Sequence, residues 1–120
     1  MISEFQPGDH LVFQIESGFC LLKILGVETS ADRGAIWHLK IFGEFYPDVE
    51  SAEFALNNPS TIRIAVNHVA MTDRAFLSTQ ASLLKNLPLE NSDIEVLEMW
   101  RKDLDAKVSD RSVRLLLGLR

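Results

Sequence analysis

Hydrophobic and polar residues alternate over the first third of the chain more regularly than anywhere later. Leu11, Phe13 and Ile15 recur at every second position, which places their side chains on one face of a β-strand. Residues 19–28 are apolar at most positions, a pattern typical of a central strand that is covered on both faces. Residues 35–42 alternate again. The pattern predicts three consecutive strands in a bent meander, typical of a half-barrel or a strongly twisted sheet.

Two residues interrupt the apolar pattern of the second strand. Lys23 has the parity of Phe19 and Leu21, so we expect it near an edge of the sheet or with its ammonium group extended to water. Gly26 lies inside the run and predicts a β-bulge or a sharp bend. Cys20 is the single cysteine of the chain, so it cannot form an internal disulfide bond, and we expect it to be buried.

A short helix and a fourth strand are predicted next. Asp48 can cap the N-terminus of a helix, because its carboxylate accepts hydrogen bonds from free backbone N–H groups. The helix ends before Pro59, since the residue before a proline avoids the helical conformation. Residues 61–70 resume the strand pattern, with Ile62 and Val66 on the inward side. We expect this strand to join the same antiparallel sheet.

Helical patterns dominate the rest of the chain. One helix is predicted from about residue 72 to residue 86. A second is predicted over about residues 93–108, with Ser92 as N-cap and Glu95 completing a capping box. Its apolar residues fall on one stripe, which should pack against an open face of the sheet. Residues 109–120 fit a last helix or a strand equally well, and their leucines should dock on this domain or on another chain.

These elements predict an α+β fold for a single domain spanning residues 1–120, because runs of strands followed by runs of helices are typical of that class. The sheet-forming part extends over about residues 8–71 and the helical part over about residues 72–120. We expect a twisted, half-barrel-like antiparallel sheet of four to five strands, with the C-terminal helices packed on one face.

Composition narrows the classes of function. A chain of 120 residues with 47% hydrophobic residues can bury a core that is stable without disulfide bonds or a structural metal ion. No apolar stretch approaches the roughly 20 residues that a membrane span needs, and the first residues lack the basic start of a signal peptide. With one cysteine, these observations predict a cytoplasmic protein that has no membrane partner. A net charge of −5 argues against nucleic acid as a partner.

The charge is distributed unevenly. Residues 101–120 hold six basic and three acidic side chains, a local charge of +3, so the other 100 residues carry −8. A solvated helix face followed by a basic tail is the simpler interpretation. The alternative is a basic patch that docks an acidic protein or the acidic surface of a second copy. The candidate interaction residues in this segment are Arg111, Arg114, Leu116 and Leu119.

The chain has three histidines, His10, His38 and His68, but none lies in a spacing typical of zinc ligands. Strand parity places His68 with the inward residues of its strand and His38 beside Lys40, so the three do not converge unless a bulge intervenes. Cys20 is a poor nucleophile, because burial disfavours the thiolate. The sequence has neither a nucleophile elbow nor a phosphate-binding glycine loop. It therefore predicts no catalytic residue, no metal site and no cofactor.

Two hypotheses from different classes of function remain. The first is a non-catalytic protein–protein interaction domain, comparable at the level of fold class with adaptors and toxin-neutralising immunity proteins. Its partner would be another protein, acidic in character, or a second copy in a homodimer. The second is a small-molecule-binding or hydrolytic protein with a site between sheet and helices. Its candidate ligand-binding residues are His38, Lys40, Tyr46 and His68.

Overall fold

The computed structural model of the protein describes residues 5–32 and 34–119. The elements in chain order are β1 (Asp9–Ile15), β2 (Gly18–Ser30), β3 (Gly34–Phe42), α1 (Val49–Ala55), β4 (Ile64–Thr72), α2 (Asp73–Leu77), β5 (Ser82–Asn86), α3 (Asn91–Lys102) and α4 (Val113–Leu116). A single 3-10 turn, Pro59–Thr61, lies between α1 and β4.

The strands form one open antiparallel sheet in the order β4-β3-β2-β1-β5. The predicted α+β class with a twisted antiparallel sheet is therefore confirmed. The meander β1–β2–β3 forms its centre, and the predicted bulge in β2 is present between Ile24 and Gly26. The side chain of Leu97 from α3 packs over Gly26.

Helices cover both faces of this sheet. α2 and α4 lie on the first face, where Trp37 stacks on Phe76 with 4.0 Å between the ring centroids. α1 and α3 lie on the second face, where Ala52 and Leu56 pack against Leu21 and Phe42. The C-terminal helices therefore do not share one face, as the sequence predicts, but lie on both. The reason is that β2 is apolar on both faces, so each face has to be shielded from water.

The helix predicted over residues 72–86 is wrong beyond its first turns. α2 ends at Leu77, the chain turns through Gln80 with a positive φ of 54°, and β5 then pairs with β1. The strand pattern explains the difference, since Leu84 packs into the core of the second face whereas Leu83 is exposed. Pairing with β5 also satisfies the backbone groups on the outer edge of β1.

The next helix also differs from its prediction. α3 begins at Asn91, with Glu90 rather than Ser92 as its N-cap, and the acidic residue of the capping box is Asp93 rather than Glu95. The helix ends at Lys102 instead of near residue 108. Residues after it run beside β4, where Ser109 makes a parallel bridge to Met71.

The C-terminal tail docks on its own domain. Ser112 caps the short helix α4 by accepting a hydrogen bond from the backbone N–H of Leu115. The neighbouring leucines, 116, 117 and 119, pack against the core of the first face. Arg114 donates hydrogen bonds to the backbone carbonyl oxygen of Gln14 at 2.6 Å and to that of Thr79 at 3.3 Å. Through these contacts the tail packs on its own domain, one of the two possibilities that the sequence leaves open.

Candidate functional site

A row of basic side chains crosses the second face of the sheet. His10 of β1 stands opposite Lys23 of β2, and Lys23 stands opposite Lys40 of β3. Lys85 of β5 extends the row on the other side of His10, where it is exposed. The first three residues of the row are buried, which is unusual for lysine.

One carboxylate lies over this row. Asp93, in the first turn of α3, accepts from Lys23 Nζ at 2.7 Å through Oδ2 and from Lys40 Nζ at 2.6 Å through Oδ1. Its Oδ2 also accepts from the backbone N–H of Glu90 at 3.0 Å. The expectation that Lys23 reaches an edge or water is therefore wrong, since only 4% of the residue is exposed and its ammonium is paired.

The electrostatics of this trio are unbalanced. Burial alone would raise the pKa of Asp93, but hydrogen bonds from the two ammonium groups and from Glu90 outweigh it and lower the pKa to about 2. Asp93 is thus ionised at neutral pH. Two ammonium groups share this single carboxylate, so the buried trio carries a net charge of +1.

Lys23 and Lys40 of this trio line a pocket of about 220 Å³ between the sheet and the chain segments 59–64 and 87–92. We call it the lysine pocket. Lys23, Lys40 and His10 contribute to its polar wall, together with Asn67. Its apolar wall consists of Phe42, Pro59, Ile62, Ile64, Leu87 and Pro88.

His10 lines this pocket in one defined tautomer. Its Nδ1 lies 2.9 Å from the carbonyl oxygen of Gly8, which can only accept, so Nδ1 carries the proton. Burial lowers the pKa of His10, and the neutral ring therefore has a lone pair on Nε2. The ring stacks on Phe42 with 6.1 Å between the centroids, which fixes its orientation.

A second polar cluster lies farther along the same face. His38 Nε2 is 3.0 Å from Glu28 Oε2, and His38 Nδ1 is 2.9 Å from His68 Nε2. Arg101 of α3 donates from Nε to the other oxygen of Glu28 at 2.6 Å. The edge of Trp100 packs against the His38 ring with 4.7 Å between centroids.

These contacts define the tautomers of the histidine pair. The hydrogen bonds from Arg101 and His38 outweigh desolvation and lower the pKa of Glu28, so its ionised carboxylate accepts a hydrogen bond from His38 Nε2–H. Burial lowers the pKa of His38 and lowers that of His68 to about 4, so both rings are neutral at pH 7. His38 Nδ1 must then accept from His68 Nε2–H. The arrangement leaves a lone pair on His68 Nδ1.

A β-bulge brings the two histidines together. Leu39 pairs with Val69 and Ile41 with Val66, so β4 has one extra residue opposite this part of β3. The extra residue places Val66 and His68 on opposite faces although they share parity in the sequence. Strand parity alone therefore does not predict the pair. The sequence allows a bulge that would bring the histidines together, but no residue pattern in it indicates where the bulge lies.

The structure separates the predicted ligand-binding residues into three places. His38 and His68 form the pair, whereas Lys40 belongs to the lysine pocket. Tyr46 lies near the start of β2, where it bridges Phe19 and packs with the core of the second face. Burial raises the pKa of Tyr46. Reasoning from the sequence did not identify His10, Lys23 and Asp93 as site residues. The only signal in the sequence was a lysine, Lys23, inside a strand that was predicted to be buried.

The predicted interaction residues are also separated. Leu116 and Leu119 pack against the core of the first face, and Arg114 binds backbone carbonyl groups. Arg111 is exposed. Within the described ranges, no group of three or more histidine, cysteine, aspartate or glutamate side chains could hold a metal ion.

No family model, curated protein or solved structure matches this chain. In the part of the chain that the structure describes, no helix is long and apolar enough to cross a membrane.

Proposed function

We propose that this protein is a small-molecule-binding domain and that the lysine pocket is its site. The observation that supports the proposal is the pair of buried ammonium groups that share one carboxylate at the wall of a pocket. Ligand sites typically combine apolar walls with a few polar groups that converge in one concavity. The pocket has this composition.

Stability alone is a poor explanation for the two lysines. Burying a charge costs several kcal/mol, and apolar residues at such positions are often as stabilising or more so. An ammonium group has three N–H donors, and among the described residues Asp93 is the hydrogen-bond partner of each lysine. Both lysines line the pocket, where a ligand would accept hydrogen bonds from these remaining donors.

A fragment screen followed by ¹H–¹⁵N NMR tests this function. Ligands of the pocket should shift the amide signals of residues that line it, such as Ser60, Asn67 and Leu87. In Ser60→Trp, a bulky ring at the exposed rim should reduce these shifts, whereas Ser82→Trp on the exposed edge strand β5 should leave them unchanged. If no fragment shifts pocket signals in the unmodified protein, the proposal is wrong.

A second candidate function is a protein–protein interaction domain that binds another protein or a second copy. It is supported by the outer side of α3 and the segment after it, where Met99 is 71% exposed and Leu104 is fully exposed. Exposed apolar residues near one another are common at interaction sites. Leu116, Leu117 and Leu119 do not contribute, because they pack on their own domain.

Light scattering combined with capture from a cell lysate tests this second candidate. Met99→Asp should abolish self-association or partner capture while the protein stays folded, and Glu98→Lys on the same exposed side serves as a control. A monomer that captures no protein in either form would rule the candidate out.

A further inference from the structure

The charges and hydrogen-bond donors of the lysine pocket define a class of ligand. Resting on the proposed function, we infer that the pocket takes an anionic oxygen group, a carboxylate or a phosphate, held between the ammonium groups of Lys23 and Lys40. The walls would surround a short apolar body attached to that group.

Charge is the first argument. Lys23 and Lys40 bring two positive charges against the single negative charge of Asp93, and His10 is neutral. Glu90 also lines the pocket, but it is exposed, so water and salt screen its carboxylate. The buried wall therefore has an uncompensated positive charge, and an anion would neutralise it where a cation or neutral molecule would not.

Geometry is the second argument. The two Nζ atoms lie 2.7 and 2.6 Å from the two oxygens of one carboxylate, so they are close enough together for one carboxylate to bridge them. A second carboxylate, or two oxygens of a phosphate, has a similar spacing and can bridge the same nitrogens from the pocket. Each nitrogen has the spare N–H groups for this bond.

Size and the remaining polar group restrict the ligand further. A pocket of about 220 Å³ holds a small molecule, and its apolar wall suits a short hydrocarbon segment. His10 Nε2 adds one hydrogen-bond acceptor beside the lysines. A hydroxyl group next to a carboxylate, or the proton of a hydrogen phosphate, would match that acceptor.

NMR titrations with inorganic phosphate and with butyrate test the inference, each at constant ionic strength against sodium chloride. The two probes separate a phosphate site from a carboxylate site. We expect at least one anion to shift pocket signals in a saturable way, and butanol to bind at least ten-fold more weakly than butyrate, since a hydrogen bond between charged groups is strong.

Variants identify the groups responsible. Lys40→Gln keeps a donor for Asp93 but removes one charge, and it should weaken anion binding by at least ten-fold. Lys85→Met is the matched control, because Lys85 belongs to the same row of the sheet but is exposed and lies outside the pocket lining. Circular dichroism checks that both variants fold, and Lys23→Gln replaces Lys40→Gln if the latter does not.

The outcomes separate this inference from the proposed function. Anion binding that depends on Lys40 and not on Lys85 supports both. Pocket binding of neutral fragments, with neither anion bound, overturns the inference and leaves the proposed function standing. Anion binding that is equal in the unmodified protein and in Lys40→Gln means unspecific charge attraction and overturns the inference. If no probe or fragment shifts the pocket signals, both are overturned.

Discussion

Replacing Asp93 with alanine should be among the most destabilising single changes in this protein. The change leaves two buried ammonium groups without their common carboxylate and removes the capping interaction of α3. Removing one partner of a buried ion pair costs about 3–5 kcal/mol, and the loss of a helix cap costs about 1 kcal/mol. Because the lysines border a pocket that water can enter, we use the lower limit for the pair and expect a loss of about 4 kcal/mol.

Urea denaturation at pH 7 measures this loss. A typical domain is stable by about 5–15 kcal/mol, so the variant should remain folded only marginally or not at all. Asp93→Asn keeps the shape of the side chain and should lose about 2 kcal/mol, which corresponds to the charge alone if the pKa falls from 3.8 to about 2. Glu95→Ala, at an exposed position of the same helix, should change stability by less than about 0.5 kcal/mol. A loss below about 1 kcal/mol for Asp93→Ala would refute the argument that the trio supports the fold.

Four further predictions concern stability in acid, the histidine pair and the C-terminal tail. The pKa of Asp93 is lowered to about 2 on folding, so the ionised carboxylate stabilises the fold above about pH 4. This stabilisation should be lost as the pH falls from 4 to 2. Urea midpoints measured along an acid titration should show the loss, and Asp93→Asn should lack it. The pKa of His68 is lowered from 6.5 to about 4, so the free energy of unfolding should also decrease as pH falls through that window. His68→Gln should reduce this decrease without abolishing it, because burial also lowers the pKa values of His10 and His38. At pH 7, ¹⁵N NMR should find both His38 and His68 protonated on Nε2, and a proton on Nδ1 of either ring would contradict the assigned chain. Leu116→Asp should destabilise the protein by about 1.5–3 kcal/mol in urea, whereas the exposed Leu115→Asp should change it little, and equal effects would contradict the docking of the tail.

The central strands were predictable from the sequence because their pattern is local. Alternation in β1 and β3, apolar residues on both sides of β2 and a glycine at its bulge depend only on neighbouring positions. β5 was not predictable in this way, since Leu83 and Leu84 fit either a helix or a strand until the exposed edge of β1 provides a partner. The predicted short helix α1 and its cap Asp48 are confirmed. They were predictable for the same reason as the strands, because the cap contact joins residues only three positions apart.

The candidate site was less predictable because its contacts are distant in the chain. A lysine in an apolar strand is expected to reach water unless a partner is known, and the partner of Lys23 lies 70 residues later. The histidine pair depends on one extra residue in β4, which reverses the side chains that follow it. Strand parity predicts the face of a side chain only as far as the next bulge. For this reason it assigned Val66 and His68 to the same face, although a bulge separates them.

The position of Asp93 has a consequence for the order in which the protein folds. Its two ion pairs span 70 and 53 residues, so they form only after β2 and β3 have come together and a long loop has closed. Such contacts raise the contact order and form late, after the local meander. Loss of the Asp93 carboxylate should therefore accelerate unfolding far more than it slows folding. The carboxylate that holds the two lysines of the pocket wall would then set how long a folded molecule persists.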